Sequence, residues 1–422
     1  MFISEPFWAC PRCGNKSFGV YRIRSHNYSR RCKECHYPKG TGEKCIYPLP
    51  PVKKKTVYLD QFAISNMMKT LNWRQGHAKV DGQDEFWLEA FEELYKLCRL
   101  QLIVCPESGF HREESSLYRY FKETKTMYEL LSCDVKFKSD DEIKIEQICE
   151  HAQNWLVGEP EKRVEIVQQS VMDGKIDAWQ ERFTISIDWK YSEDLIEGLR
   201  KARSAASTRW EVVAKRWRQE KEKDFDDWFR EESSGYGNAV LKVYSQSVQG
   251  LVDVYKGERE AILDDTLIPF SLPYSLIQSL SYVVTNSGVG QGEVCSKVVE
   301  YLHSDSLKNV PFVEISSLLL AALARKYASG MCQCPDEGLE TDINIVSVLL
   351  PYCDAMFIDK PMHGYLKENP VCERISYGTK VFSLNHKEEF IAYLKSIEQN
   401  ASKEHIEKVK EVYGEESFKY PC

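Results

Sequence analysis

The sequence predicts an α/β protein: a parallel sheet flanked by helices, interrupted by a long helical insertion and preceded by a small cysteine-bearing module. Three observations lead there. Short β-branched or apolar runs at Thr56–Asp60, Leu100–Cys105, Asp354–Asp359 and Thr379–Leu384 each adjoin a helical pattern, the alternation of parallel strands joined by crossovers. Residues 140–309, between the second and third runs, read as helical and hold many tryptophans. Two C-x-x-C pairs, Cys10/Cys13 and Cys32/Cys35, open the chain.

Totals set the outer limits. The chain has 422 residues, enough for two or three domains. No apolar run approaches the ~20 residues needed to cross a bilayer, so no membrane partner is expected. The first residues lack the basic and apolar regions of a secretion signal. Fifteen cysteines is an odd number, and without such a signal it favours thiols and metal ligands in a reducing cytoplasm over a disulfide framework. Net charge is −8, unevenly spread. Residues 1–55 hold twelve Lys or Arg against three Glu (+9), which leaves −17 on the rest. A basic head on an acidic body suggests a polyanionic partner for the head; solubility alone is the plainer reading.

The head, residues 1–50, is the most specific local signal. Its two C-x-x-C pairs, eighteen residues apart, can aim four thiolates at one tetrahedral zinc ion, as in a zinc ribbon. Four protein ligands leave no open position, so the zinc is structural, and a head this small needs the ion to fold. His36 and Cys45 are then bystanders. Between the pairs, Phe18–Arg31 alternates aromatic or apolar residues with cations, a hairpin pattern. Arg22, Arg24, Arg30, Arg31 and Lys33 are candidates for phosphate contacts, and Tyr21 and Tyr28 for base stacking; a solvated hairpin face fits equally. Lys53–Lys55, after a proline-rich stretch, reads as a linker.

The strand Thr56–Asp60 ends in an acid, either a group beyond the carboxyl end of a strand or a helix cap. A helix over 84–98 shows one apolar face. The run Leu100–Cys105 leads to a second helix with Glu107, Glu113 and Glu114 near its start. His111 shares a face with Glu114 but more often packs or hydrogen-bonds than ligates. In the insertion, Trp210, Val213, Trp217, Phe225 and Trp228 read as core packing, and Gly288–Gly292 as a turn. The stretch Val310–Arg325 is a buried helix, and Cys332-x-Cys334 is too close for a zinc knuckle. A helix over Asp342–Cys353 rises roughly 17 Å. A strand over Asp354–Asp359 returns about as far. Asp342 and Asp359 therefore fall at one edge and Asp354 at the other. Gathered carboxylates need a cation between them, and a divalent metal is the usual one. Asn385 is a plausible cap for the last helix of the domain, and the tail 397–422 is charged and helical at best.

This order of pieces resembles the PIN-domain nucleases, over residues 56–135 and 310–396. The match rests on the order of acids and on the closing Val381–Leu384 and Glu389–Leu394 stretches. The resemblance implies a parallel sheet between helices with an acidic Mg²⁺ or Mn²⁺ site at the strand ends. Asp60 matches its first acid and Glu114 its second, with Glu113 and Glu107 as rivals. Asp342 matches the third. Asp359 matches the acid after the penultimate strand, although Phe357 stands where the family often has Thr or Ser. It implies an endonuclease, on RNA sooner than DNA, with Asp60, Asp342 and Asp359 holding metal, Glu114 assisting, and the ribbon binding the nucleic acid. An inhibitor or regulatory protein is left open as a partner. A non-catalytic nucleic-acid-binding or adaptor protein on the same fold is the alternative expectation.

Overall fold

The computed structural model describes residues 3–74, 85–116, 121–181, 210–258, 271–331 and 337–415. Trp189, one of the insertion's tryptophans, and the Cys332/Cys334 pair lie outside them.

The head is a four-stranded antiparallel sheet in the order β1 (Ser4–Ala9), β2 (Lys16–Arg24), β3 (Asn27–Cys32), β4 (Ile46–Pro48). The expected hairpin is the β2–β3 pair. Its register shifts between Val20 and Arg22, and Tyr21 and Arg22 are both exposed. Such a bulge breaks strict alternation.

The body holds a four-stranded sheet in the order β10 (Lys380–Phe382), β9 (Ala355–Phe357), β5 (Lys55–Leu59), β6 (Ile103–Val104). All three pairings are parallel. Val57, Tyr58 and Leu59 of β5 and Ala355, Met356 and Phe357 of β9 are all buried. Continuous burial along a strand means that both faces are covered, which explains why these runs are apolar rather than alternating. An isolated parallel bridge from Glu107 to Lys136 continues the sheet past β6 to β7 (Lys136–Phe137), which pairs antiparallel with β8 (Met172–Asp173). The chain thus leaves β5 towards β6 and later returns to β9 on the other side. The gap between β5 and β9 is the topological switch point of the sheet.

The strands are shorter than the sequence suggests. Leu100 and Gln101 belong to the end of the helix Glu85–Arg99, because the Leu100 amide donates to the Lys96 carbonyl (2.8 Å) and Gln101 has φ 58°. That helix buries Phe86, Trp87, Phe91, Leu94 and Tyr95 along one stripe. Phe357 of β9 meets the rings of Phe62, Phe86, Trp87 and Phe390. The helix Pro311–Ala328 is buried along most of its length, as its composition predicts. The last helix of the domain spans Lys387–Gln399; His386, not Asn385, holds its N-cap position, without a side-chain cap bond, and Asn385 sits in a 3-10 turn before it.

The insertion shares the body's core. Trp210, Trp217 and Trp228 are buried with residues of both flanking segments, so the tryptophan stripe is packing. Gly237, on the helix Phe225–Tyr255, lies against the backbone of Leu302. Part of the insertion is not helical. Residues 164–181 run along the amino ends of the parallel strands, where Gln168 donates to Asp354 (3.0 Å), Asp177 accepts from the Lys54 amide (2.9 Å) and Trp179 donates to the Pro50 carbonyl (2.7 Å).

The tail departs most from expectation. Lys403–Tyr413 is a helix capped by Ser402, and Val409 and Val412 are fully buried. They share a second core with Val20, Ile23 and Tyr28 of the head and Leu49, Val52, Leu100 and Trp179. The head is therefore anchored to the body, at the amino-terminal rim of the parallel sheet.

Candidate functional site

The thiolate cluster is complete. Cys10, Cys13, Cys32 and Cys35 place their Sγ atoms within 4.8 Å of one another. The Cys10–Cys35 and Cys13–Cys32 separations are 3.6 and 3.8 Å. A tetrahedron with Zn–S bonds of about 2.3 Å has edges of about 3.8 Å, so the four thiols are at the spacing zinc requires. Two turns hold them there. The Gly14 amide donates to the Cys10 carbonyl (2.9 Å), with Gly14 at φ 74°, and the Cys32 amide donates to the Tyr37 carbonyl (3.0 Å). Burial opposes ionisation of Cys32, but the Ser17 hydroxyl and the Cys35 and Glu34 amides outweigh it, and the thiol falls to about 6. Among the described residues no other set of three or more Cys, His, Asp or Glu is gathered this closely. His36 and Cys45 stand outside the set.

The cations of the head divide into two groups. Arg22 and Arg24 are exposed. Arg31 lies over the Tyr21 ring (4.1 Å) and Lys33 over the Phe7 ring (4.3 Å), so cation–aromatic pairs mark the outer face. Arg30 is the exception, and the expectation of a phosphate contact there is corrected. It is 1% exposed and donates to the carbonyls of Pro6 (2.6 Å), Phe18 (3.2 Å) and Glu411 (2.8 Å), with Trp8 over its guanidinium at 3.4 Å. Tyr28 is corrected likewise. It is buried, stacks on Tyr47 and hydrogen-bonds the Glu411 carboxylate, so it is not available to a base. Both residues serve to dock the C-terminal helix.

The acids lie at the opposite rim. Asp60 directly follows β5 and Asp359 follows β9 by two residues; Leu59 pairs in register with Phe357. The Asp60 amide donates to the Phe357 carbonyl (3.0 Å). Asp60 and Asp359 therefore flank the switch point at the carboxyl ends of neighbouring strands, the crevice in which open α/β sheets bind ligands. Each also starts a helix. The Asp60 carbonyl accepts from the Ala63 amide (3.0 Å), and the Asp359 carboxylate caps Lys360–Lys367 by accepting from the Met362 amide (2.8 Å).

The other expected acids fare differently. Asp342 does not open its helix, which already runs from Glu337 to Leu349; the acid sits more than a turn inside it, half-buried. That helix packs against Lys360–Lys367. Among the described residues, Asp60, Asp342 and Asp359 do not form a triad with ligand atoms within 4.8 Å of one another. Glu114 and its rival Glu113 fall on the helix Gly109–Ser116 that follows β6, with their side chains outside the described set. Glu107 is removed as a rival: its side chain is only 12% exposed and pairs with Lys136 at 3.4 Å. His111 is a packing residue, as its setting in the sequence suggests. Fully buried between the rings of Tyr58 (4.9 Å) and Tyr128 (4.7 Å), it accepts at Nδ1 from the Ser108 amide (3.1 Å). Burial pushes its imidazole down to about 3, so it is neutral at ordinary pH.

Asp354 lies at the amino rim, as expected from the out-and-back path. It accepts from Lys55 Nζ (3.1 Å), the Thr56 amide (2.9 Å) and Gln168. Burial opposes its charge, but these donors prevail and hold its carboxyl below the usual range.

Sequence reasoning missed a histidine pair at the acidic rim. His363, on the helix that Asp359 caps, and His386, just past β10, have ring centroids 4.3 Å apart. His363 is buried and its Nε2 has no hydrogen-bond partner; His386 Nδ1 lies 3.3 Å from Ser383 Oγ. A histidine four residues beyond a capping acid was the available signal. Compared with known proteins, the chain matches no family model, no curated protein and no solved structure.

Proposed function

We propose that the protein is a metal-dependent nuclease, acting on RNA in preference to DNA. One observation carries this reading: two aspartates from segments about 300 residues apart, Asp60 and Asp359, flank the switch point of a parallel sheet. Carboxylate oxygens are hard donors that suit Mg²⁺ or Mn²⁺. Asp60 and Asp359 would hold such an ion, with Asp342 and Glu114 completing its surroundings. When bound, the ion supplies a hydroxide from water and neutralises charge on a phosphodiester. The chain's own part is to keep two carboxylates ionised and oriented. For Asp359, the Met362 amide does this by fixing one oxygen. The basic outer face of the head, with its Arg31/Tyr21 and Lys33/Phe7 pairs, suits a nucleic acid backbone and its bases. The four-thiolate cluster suits one structural zinc ion.

The adaptor reading keeps a foothold, because no carboxylate triad is preformed among the described residues. The two separate by experiment. The full chain is incubated with single-stranded and hairpin RNA, and with DNA, in Mn²⁺ and in EDTA. Metal-dependent cleavage by the wild type, lost in Asp60→Asn and Asp359→Asn while RNA binding persists, is the expected result. If the wild type cuts neither polymer with metal present, the nuclease reading fails and the adaptor stands.

A further inference from the structure

A large cleft lies away from the acidic rim. It has a volume of about 1490 Å³ and lies at the amino rim, between the Pro48–Lys55 linker, the amino ends of β5, β9 and β10, and the C-terminal helix. We propose that this cleft is a binding channel for single-stranded nucleic acid, distinct from the site of cleavage. It rests on the preceding reading only for the identity of the polymer.

Size argues first. Pockets for small ligands measure about 300–1,000 Å³, and this one exceeds them, so it fits a length of polymer better than a metabolite. Charge argues second. Lys53, Lys55, Lys380 and Lys408 line the cleft against Asp177, Asp354 and Glu404. Two of those acids are already engaged, Asp354 by Lys55, the Thr56 amide and Gln168, and Asp177 by the Lys54 amide. Lys55 is spent on Asp354, and Lys408 is held by Glu411 at 2.5 Å. Lys53 and Lys380 are exposed. Ring faces argue third. Tyr393 is buried and already covered by Lys380, whose Nζ lies 4.8 Å from its centre, so the ring on this wall within reach of a base is that of half-buried Tyr377. Ammonium groups beside aromatic rings in a groove are the elements by which single strands are held without sequence preference.

Continuity argues last. Pro48–Lys53 and Lys55 line the cleft, and the same segment joins the head to β5, so a strand on the head's basic face has a path into it. From Lys55 the strand β5 runs about 17 Å to Asp60, at about 3.3 Å per residue. At about 3.4 Å per stacked nucleotide that is roughly five nucleotides. A polymer held in the cleft would be cut no nearer than that to the segment held.

The test measures binding in EDTA, so that it does not depend on cleavage. The probe is a fluorescent 20-nucleotide oligouridine, titrated with the full chain at several salt concentrations. The double variant Lys53→Glu, Lys380→Glu is expected to bind at least tenfold more weakly at 0.1 M salt. Its slope of log affinity against log salt should flatten by about 1.4, two phosphate contacts at about 0.7 each. Arg230→Glu, a reversal on the exposed side of the insertion, should leave both unchanged. Unaltered affinity in the double variant overturns the proposal. So does an equal loss in Arg230→Glu, which would mean that total charge alone matters, and so does failure of the wild type to bind. Binding that behaves as expected in a protein that cuts nothing would sink the nuclease reading and leave the channel intact.

Discussion

Arg30→Met is the most informative single change in the head. Methionine keeps most of the aliphatic length and removes the guanidinium. Three carbonyls, those of Pro6, Phe18 and Glu411, then lose a donor in a site that is 1% exposed. At about 1 kcal/mol for each lost hydrogen bond the cost is roughly 3 kcal/mol. Loss of the stacked Trp8 contact adds about 1 kcal/mol. Relief from burying a charge works the other way, so a net of about 3 kcal/mol is expected. Three kcal/mol is more than a hundredfold in an opening equilibrium, and a large part of the ~5–15 kcal/mol that holds a domain together. The Glu411 bond to Arg30 is through the main chain, so Glu411→Ala cannot mimic the effect; it removes the carboxylate that accepts from the Tyr28 hydroxyl and from Lys408. Amide hydrogen exchange is the assay. Protection should fall together in β3 and in Lys403–Tyr413, while Lys387–Gln399, which belongs to the main core, keeps its protection. A change under about 1 kcal/mol, or loss in β3 without loss in the C-terminal helix, would refute the view that Arg30 joins the two.

Three further outcomes are expected. Cys32→Ser should lower the zinc content from one ion per chain and abolish the head's strand protection while the parallel sheet survives; elemental analysis with hydrogen exchange checks both. His111 is neutral in the fold and its imidazole is depressed to about 3. The unfolded chain therefore binds the extra proton as pH falls below about 6.5. His111 alone should then lower stability by about 2 kcal/mol between pH 7 and 5, a share that His111→Phe removes from the urea midpoints, while His151 and His363, also depressed by burial, keep a slope of the same sign. Gly237→Ala gains about 1 kcal/mol of helix propensity, but its new methyl would sit 1.7 Å from the Leu302 carbonyl oxygen, a backbone atom that cannot swing aside. The clash wins, and thermal denaturation should show a net loss of about 1–3 kcal/mol.

What the sequence discloses follows how local each feature is. The four-cysteine cluster is legible because its spacing is itself the geometry: each pair closes within one turn. Asp60 and Asp359 are legible as strand-end acids because each follows a buried apolar run. Arg30 and Tyr28 were misread because alternation assigns a face only when a strand has a solvent side. Here β3 alternates regularly, but a helix from the far end of the chain covers the face that carries Tyr28 and Arg30. The covering helix had left a trace, since Ile406, Val409, Val412 and Tyr413 recur at helical spacing inside a charged tail. Asp342 was placed at a helix start because a capping acid and a mid-helix acid look alike in one sequence.

The two rims of the parallel sheet carry different features, and what gathers at the amino rim is the part a single sequence does not reveal. The carboxyl rim carries Asp60, Asp359 and the His363/His386 pair, each close to a strand end. The amino rim holds the head, the large cleft and the C-terminal helix, tied by residues 164–181 and by Asp354. On the proposed reading, cleavage at one rim and a grip at the other would favour long substrates over short ones, because only a long chain meets both. Cutting the connection at Arg30 should then cost binding of long RNA more than of short RNA while leaving Asp60 and Asp359 undisturbed, since β5 and β9 stay in the main core.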